Sequence, residues 1–418
     1  MKRTLIITAA ILLMTVVLAA CANGGSSKGG DGPGGEITFF YWDDNQREAM
    51  DKVIVLLKDI APDVSVESTI IPWGQYWTTL QISLTSAAEP DVFWVNKFNS
   101  LDYIPAGLME PIGSYIERDE VDMSVFPQAL IDLYSADGAI YAIPKDFDTI
   151  ALFYNRSLFD AKGMDYPEDT WTWDDLKDAA IALTEGNVYG FAAQAWTQGT
   201  VHPWMLSNGG KVLTPDGSSF DVNYPENIEA VQWLVDAMYV HGFSPDGPSQ
   251  RELDPTDMFL AGNIAMHTGG SWAVSWFLDM MGDDLGVASL PISRQPASII
   301  NGLGIAMSAR SENKEAAWML QKAFTLKEAG EAQAGSVIPA IVGTEHLWVE
   351  SFPSLNLQCF VNAASYATPN PAPRVASAEQ QAVFDDALQN IWMQTEDVAS
   401  ALQRITEETA AIYAEASK

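Results

Sequence analysis

Two short stretches hold the residue types that molecular recognition needs. "YWDD", Tyr41 to Asp44, and "FWVN", Phe93 to Asn96, each set a tryptophan beside short polar side chains at the end of an apolar run. A flat aromatic face next to planar hydrogen-bonding groups suits a polyhydroxylated ring, which offers apolar C–H faces and a rim of hydroxyls. The same residues have plainer uses: Trp42 and Trp94 as core packing, Asp43, Asp44 and Asn96 as helix caps or turn residues. Bond-breaking chemistry has less support. No nucleophile-elbow or metal-helix signature appears, the one Gly-x-Ser-x-Gly run, Gly25 to Gly29, lying in a glycine-serine tract with no strand before it, and nothing marks out the two carboxylates of a glycoside hydrolase. The four histidines, His202, His241, His267 and His346, share no short ligand spacing, and a structural zinc site would also draw on cysteines. Neither a metal nor another cofactor is expected.

The elements that must position these groups follow from periodicity. "EITFFYW", Glu36 to Trp42, is rich in β-formers and predicts a first strand; Met50, Val53, Ile54, Leu57 and Ile60 then recur at helical spacing before Pro62. "VSVESTII" predicts a second strand, followed after Pro72 by a helix through Leu80 and Leu84, and "DVFWVN" a third strand. Strands alternating with helices predict a parallel sheet covered on both faces. Ligands of such sheets lie beyond the carboxyl ends of the strands, where both tryptophan stretches fall.

The N-terminus reads as an export signal: Lys2 and Arg3, then an uncharged run from Thr4 to Ala20. Its close, Leu18-Ala19-Ala20 before Cys21, resembles the lipobox of bacterial lipoproteins. That likeness implies a signal peptide over residues 1–20, an acylated Cys21 and a protein lipid-anchored to the cell membrane on its extracytoplasmic face. Residues 21–35 hold seven glycines and no residue larger than lysine, the composition of a flexible tether. The roughly 380 residues that follow exceed what one core usually organises and suggest two domains. With Cys21 acylated, Cys359 has no partner, so packing must supply the stability. A formal charge of −33 repels phosphate backbones and disfavours nucleic acid as a partner.

"YAIPKDFDTIALFYNRSLFDAKGMDYPEDTWTWDDL", Tyr141 to Leu176, predicts a strand bearing Asp148 and a helix capped by Thr172. With "HPWMLSNGGKVL", "ENIEAVQWLVDAMYVHG", "MFLAGNIAMHTGGSW" and "GLGIAMSARSENKEAAWMLQKAFT", its order and spacing resemble the extracellular solute-binding protein family 1, maltose-binding-protein-like carbohydrate-binding partners of ABC importers. The resemblance implies an α/β, two-lobed periplasmic-binding-protein-like fold (type II), with a hinge between the lobes and a ligand cleft at their interface. It implies lobe 1 over residues 36–146 and 302–340 and lobe 2 over 147–298 and 344–418, with crossings near Lys145 to Asp148, Ser298 to Gly302 and Pro339 to Thr344.

Carried over position by position, the resemblance places Asp43, Asp44, Trp94, Asn96, Lys97, Asp148, Trp196, Trp204, Gly270 and Trp272 at the ligand. Gly269 and Gly270 would let the ligand approach the backbone closely. Trp171, Trp173 and Trp276 read as structural. The implied function is that of a monomeric binder that captures a sugar or oligosaccharide by hinge closure and delivers it to permease subunits, with no catalysis. One departure leaves subsite number open: "RVASAEQQAVF" has no aromatic between Arg374 and Phe384. A polyamine, a glycerol phosphodiester or a peptide is the alternative ligand, and a secreted glycoside hydrolase the alternative class.

Overall fold

The computed structural model describes residues 34–86 and 88–418; the expected signal peptide, Cys21 and nearly all of the tether lie outside the described residues. Nine strands build two main sheets. They are β1 (Gly35–Tyr41), β2 (Val64–Ile70), β3 (Val92–Asn96), β4 (Ala142–Pro144), β5 (Ile150–Asn155), β6 (Tyr189–Phe191), β7 (Ile264–Gly270), β8 (Leu285–Ala288) and β9 (Leu303–Met307). The first sheet has the order β2-β1-β3-β9-β4 and the second β8-β5-β7-β6.

Local pattern explains the first sheet. Ile37, Phe39 and Tyr41 alternate inward along β1 and are buried. Helix Arg47–Ile60 sets Met50, Val53 and Leu57 into the same core. β1 pairs in parallel with both β2 and β3, as the strand–helix alternation predicts. The expectation of an all-parallel sheet fails at β9, which runs antiparallel to β3 and β4. That chain returns from the second lobe and so enters at the carboxyl ends of the parallel strands. The second sheet is mixed, with β5 antiparallel to both β7 and β8.

The links between the sheets are paired with one another. Asp148 N–H donates to the Asn301 carbonyl at 2.9 Å, and Asn301 N–H returns a bond to the Asp148 carbonyl at 3.1 Å. Ile338 and Pro339 pair with Phe147 and Asp146. Asp148 therefore belongs to a crossing bridge just before β5 rather than to the strand expected to bear it.

The third crossing lies later than Pro339 to Thr344. Val342 N–H still donates to the Val125 carbonyl, and at the end of helix Glu345–Ser351 the Ser351 hydroxyl donates to the first-lobe Ala334 carbonyl at 3.3 Å. Contacts with the second lobe begin where Arg156 donates to the Ser354 carbonyl and Asn356 to the Asp169 carboxylate. Residues from 344 to about 352 were thus assigned to the wrong lobe, because an apolar helix shows what it buries but not against which neighbour. Cys359 is a buried free thiol. Among the described residues no helix is long and apolar enough to cross a membrane.

Candidate functional site

A cavity of about 490 Å³ lies between the lobes, within the usual range for small-molecule sites. The first lobe contributes Trp42, Asp43, Asn45, Gln46, Trp73 and Asn96; the crossings contribute Asp148 and Asn301; the second lobe contributes Trp196, Gln198, Ser271, Trp272 and Trp276.

On the first-lobe side Trp42 stands one residue beyond β1. It is held edge-on by Trp73 at 5.2 Å, Tyr76 at 4.8 Å and Trp94 at 5.0 Å between ring centroids. Asp43 caps the short turn Asp44–Gln46, accepting from Asn45 N–H at 3.0 Å and from the Gln46 amide at 2.8 Å, so both its oxygens are engaged. Asn96 caps helix Lys97–Tyr103: its Oδ1 accepts from Asn99 N–H at 2.9 Å. Behind this wall the buried Lys145 ammonium donates to Gln46 at 2.6 Å, pairs with Asp146 and sits 4.5 Å over the Trp94 ring.

At the floor, Asp148 Oδ1 accepts from the Gln198 amide at 3.0 Å. Burial, and then the Asp146 carboxylate, push the Asp148 pKa well above the usual carboxylate range, and the Gln198 bond only partly offsets this. Asn301 keeps a buried side-chain oxygen with no partner among the described residues.

The second-lobe wall rests on two glycines. A Cβ on Gly199 would lie 1.9 Å from the Trp196 ring, and one on Gly270 1.9 Å from the Trp272 ring. Each indole is laid flat on a backbone that has no side chain to interfere. The two rings meet edge to face at 6.2 Å. Trp272 is 37% and Trp276 41% exposed.

Asp43, Asn96, Asp148, Trp196 and Trp272 are brought together as expected. The other five are not. Trp94, 0% exposed, is core between Tyr41 and Trp42, and Trp204, 1% exposed, stacks on Trp173 and Phe191. Asp44 points to solvent and pairs with Arg47. Lys97 stands clear of the cavity, its pKa lowered by burial and by the Arg374 charge. Gly270 does not line this cavity; the Trp272 ring covers the side on which a Cβ would stand. Trp276, read as packing, lines the cavity instead.

Sequence reasoning missed Trp73, Gln198 and Asn301. Trp73 follows the carboxyl end of β2, so the rule that found Trp42 applies to it as well. Gln198 and Asn301 carried no local signal.

Two α/β lobes, paired crossings and an aromatic cavity between them define a solute-binding protein. The chain belongs to the family described as bacterial extracellular solute-binding protein, whose model matches residues 43–331. It is similar to the arabinooligosaccharide-binding protein of Halalkalibacterium halodurans, 25% identical over 59% of this chain and 56% of that one. It is also similar to the maltotriose-binding protein of Pyrococcus abyssi, 26% identical over 59% and 53%. Less than two thirds of these curated relatives' length is matched. An ABC substrate-binding protein of Listeria monocytogenes, solved in complex with cycloalternan, superposes with a TM-score of 0.83 at 24% identity over 90% of this chain and 98% of that one.

Proposed function

We propose that this protein is the substrate-binding lipoprotein of an ABC importer, capturing a sugar or oligosaccharide by closure of its lobes and passing it unchanged to permease subunits. One observation carries the reading. Trp42, Trp73, Trp196, Trp272 and Trp276 surround a cavity whose polar groups are mostly amides, with one carboxyl, Asp148, keeping an oxygen free of protein partners. Indoles match the C–H faces of sugar rings, and amides with a carboxyl match their hydroxyls. The names of the arabinooligosaccharide- and maltotriose-binding relatives point the same way.

The alternatives fit less well. A polyamine needs carboxylates at both ends, yet Asp43 and Asp146 already spend both oxygens on the protein. A phosphodiester needs a cation, and no lysine, arginine or histidine is among the residues lining the cavity. A glycoside hydrolase needs two working carboxyl groups; only Asp148 is uncommitted. The lipid anchor at Cys21, the extracytoplasmic location and the monomeric state are part of the same reading, resting on the N-terminal sequence and the family.

A thermal-shift screen with mono- and oligosaccharides, polyamines and glycerophosphodiesters tests the ligand class, because whatever binds the native state raises its melting temperature. Stabilisation by a polyamine or a phosphodiester and by no sugar overturns the reading. Oligosaccharide recovered intact from the complex is the expected result, and cleavage would make the protein an enzyme. Mass spectrometry of the membrane-bound protein tests Cys21, which should carry lipid.

A further inference from the structure

A second cavity of about 440 Å³ lies in the second lobe, on the far side of the same tryptophans. Trp196, Trp272 and Trp276 line both cavities. The remainder of the second cavity comes partly from the segments that carry these rings, through Gln194, His267, Gly269 and Gly270, and partly from helix Gly247–Glu252, helix Pro255–Leu260 and the last turn of helix Ser377–Trp392, none of which lines the first. We propose that this cavity is an additional compartment for the ligand, taking the sugar units of a neutral oligosaccharide that continue past the Trp196–Trp272 wall. The inference rests on the carbohydrate reading above.

Its chemistry is that of a hydroxyl-binding site. Gln194, Gln389 and Thr256 offer neutral donors and acceptors to the cavity. His267 joins them: burial lowers its pKa to about 4, so the ring is neutral at physiological pH. Its Nδ1 lies 3.3 Å from the Gln194 amide nitrogen, which can only donate, so the ring proton is placed on Nε2. Arg251 and Asp254 bring one charge of each sign, leaving no net preference for an ionic ligand. Trp392 forms part of the wall, its indole N–H donating to the Ala193 carbonyl at 2.9 Å. It stands on the same late helix in which the sequence lacked an aromatic before Phe384, several turns further along.

Continuity argues for one ligand over two. With one indole seated on Gly199 and the other on Gly270, the rings are fixed in place. The two cavities adjoin at Trp196, Trp272 and Trp276, so a sugar chain that leaves the first along these rings comes next to the second. A monosaccharide would leave this compartment empty; an oligosaccharide would gain contacts with each unit that enters it.

The test is calorimetric titration with malto-, arabino- and galacto-oligosaccharides of increasing length. It compares wild type with Gln389→Trp and Thr256→Trp, which fill the compartment from two walls and leave the first cavity untouched. In the wild type, affinity should rise with length. In both variants the longer members should lose about tenfold or more, roughly one sugar unit's worth of polar contacts, while the shortest binder changes less than about twofold. Affinity independent of length in the wild type overturns the compartment, as does an equal loss for short and long ligands in folded variants. If no sugar binds the wild type at any length, the carbohydrate reading falls, and this inference with it.

Discussion

Trp272 lies on Gly270 so closely that a methyl group on the glycine would come within 1.9 Å of the indole. A tryptophan of the cavity wall is thus aimed by a residue two positions earlier in the chain. Gly270→Ala should tilt the ring out of the wall, because the backbone of β7 is held by its ladder while the partly exposed indole is the group that can give. Overpacking of this kind costs about 1–3 kcal/mol of stability. Sugar affinity should fall by about as much as in Trp272→Ala. An affinity retained in Gly270→Ala while Trp272→Ala loses it would show that the seat is dispensable.

Trp272 and Trp318 separate binding from packing. Trp318 is fully buried, and its Nε1 donates to Asp119 at 2.8 Å. Trp318→Ala should destabilise the protein by about 3–5 kcal/mol yet leave the affinity of the folded fraction unchanged. Trp272→Ala should do the reverse. Chemical denaturation and calorimetry on the same preparations read both quantities, and saturating sugar should change tryptophan fluorescence in Trp318→Ala more than in Trp272→Ala.

Asp148→Ala should weaken sugar binding by about 0.5–3 kcal/mol, the span from a neutral hydrogen bond to one with a charged group, if the carboxyl bonds the ligand directly. Calorimetry with the sugar identified by thermal shift checks it, and an unchanged affinity would leave Asp148 only its bond to Gln198.

Asp148 also sets a pH dependence. With its folded pKa raised by burial and by Asp146, the folded state keeps a proton that the unfolded chain has released above about pH 4. Stability contributed by this group therefore falls as pH rises from about 4 through the raised pKa. Asp148→Asn, which has no ionisation to penalise, should match wild type at the acid end and gain on it as pH increases. Urea unfolding at a series of pH values tests this. Parallel curves would mean that the carboxyl ionises without penalty.

His202 produces the opposite slope. Burial lowers its pKa to about 3, and neither ring nitrogen has a partner among the described residues. The unfolded chain takes up a proton below about pH 6.5 that the folded state refuses. Stability from His202 is therefore complete above pH 6.5 and is lost as pH falls toward 3, at about 1.4 kcal/mol per unit. The ring packs between Phe220 and Phe384, so His202→Phe should fold and should flatten the acid limb of the stability profile.

Local order was legible in the sequence. The alternation of Ile37, Phe39 and Tyr41 marked β1, and the spacing of Met50, Val53 and Leu57 marked the buried stripe of the next helix. Thr172 caps its helix as expected, and does so in a capping box with Asp175. Each of these depends on neighbours within a few residues, which periodicity and capping chemistry report directly. The strand-end rule likewise found Trp42, Asp43 and Asn96, since a chain leaving a parallel sheet must pass the ligand crevice.

Which of several similar residues meets the cavity was decided only by tertiary structure. Trp42 and Trp94 both end strands, but Trp94 lies within its strand, covered by Tyr41, Trp42 and the Lys145 ammonium, while Trp42 lies one step past β1. Trp204 disappears beneath Trp173 and Phe191, and Trp276 emerges because nothing packs over it. Asp148 and Asn301 are 153 positions apart and reach one floor only because two crossings pair. Periodicity tells a chain which side to bury; whether a particular ring is covered depends on distant elements that arrive to cover it, and that is settled only when the lobes fold and meet.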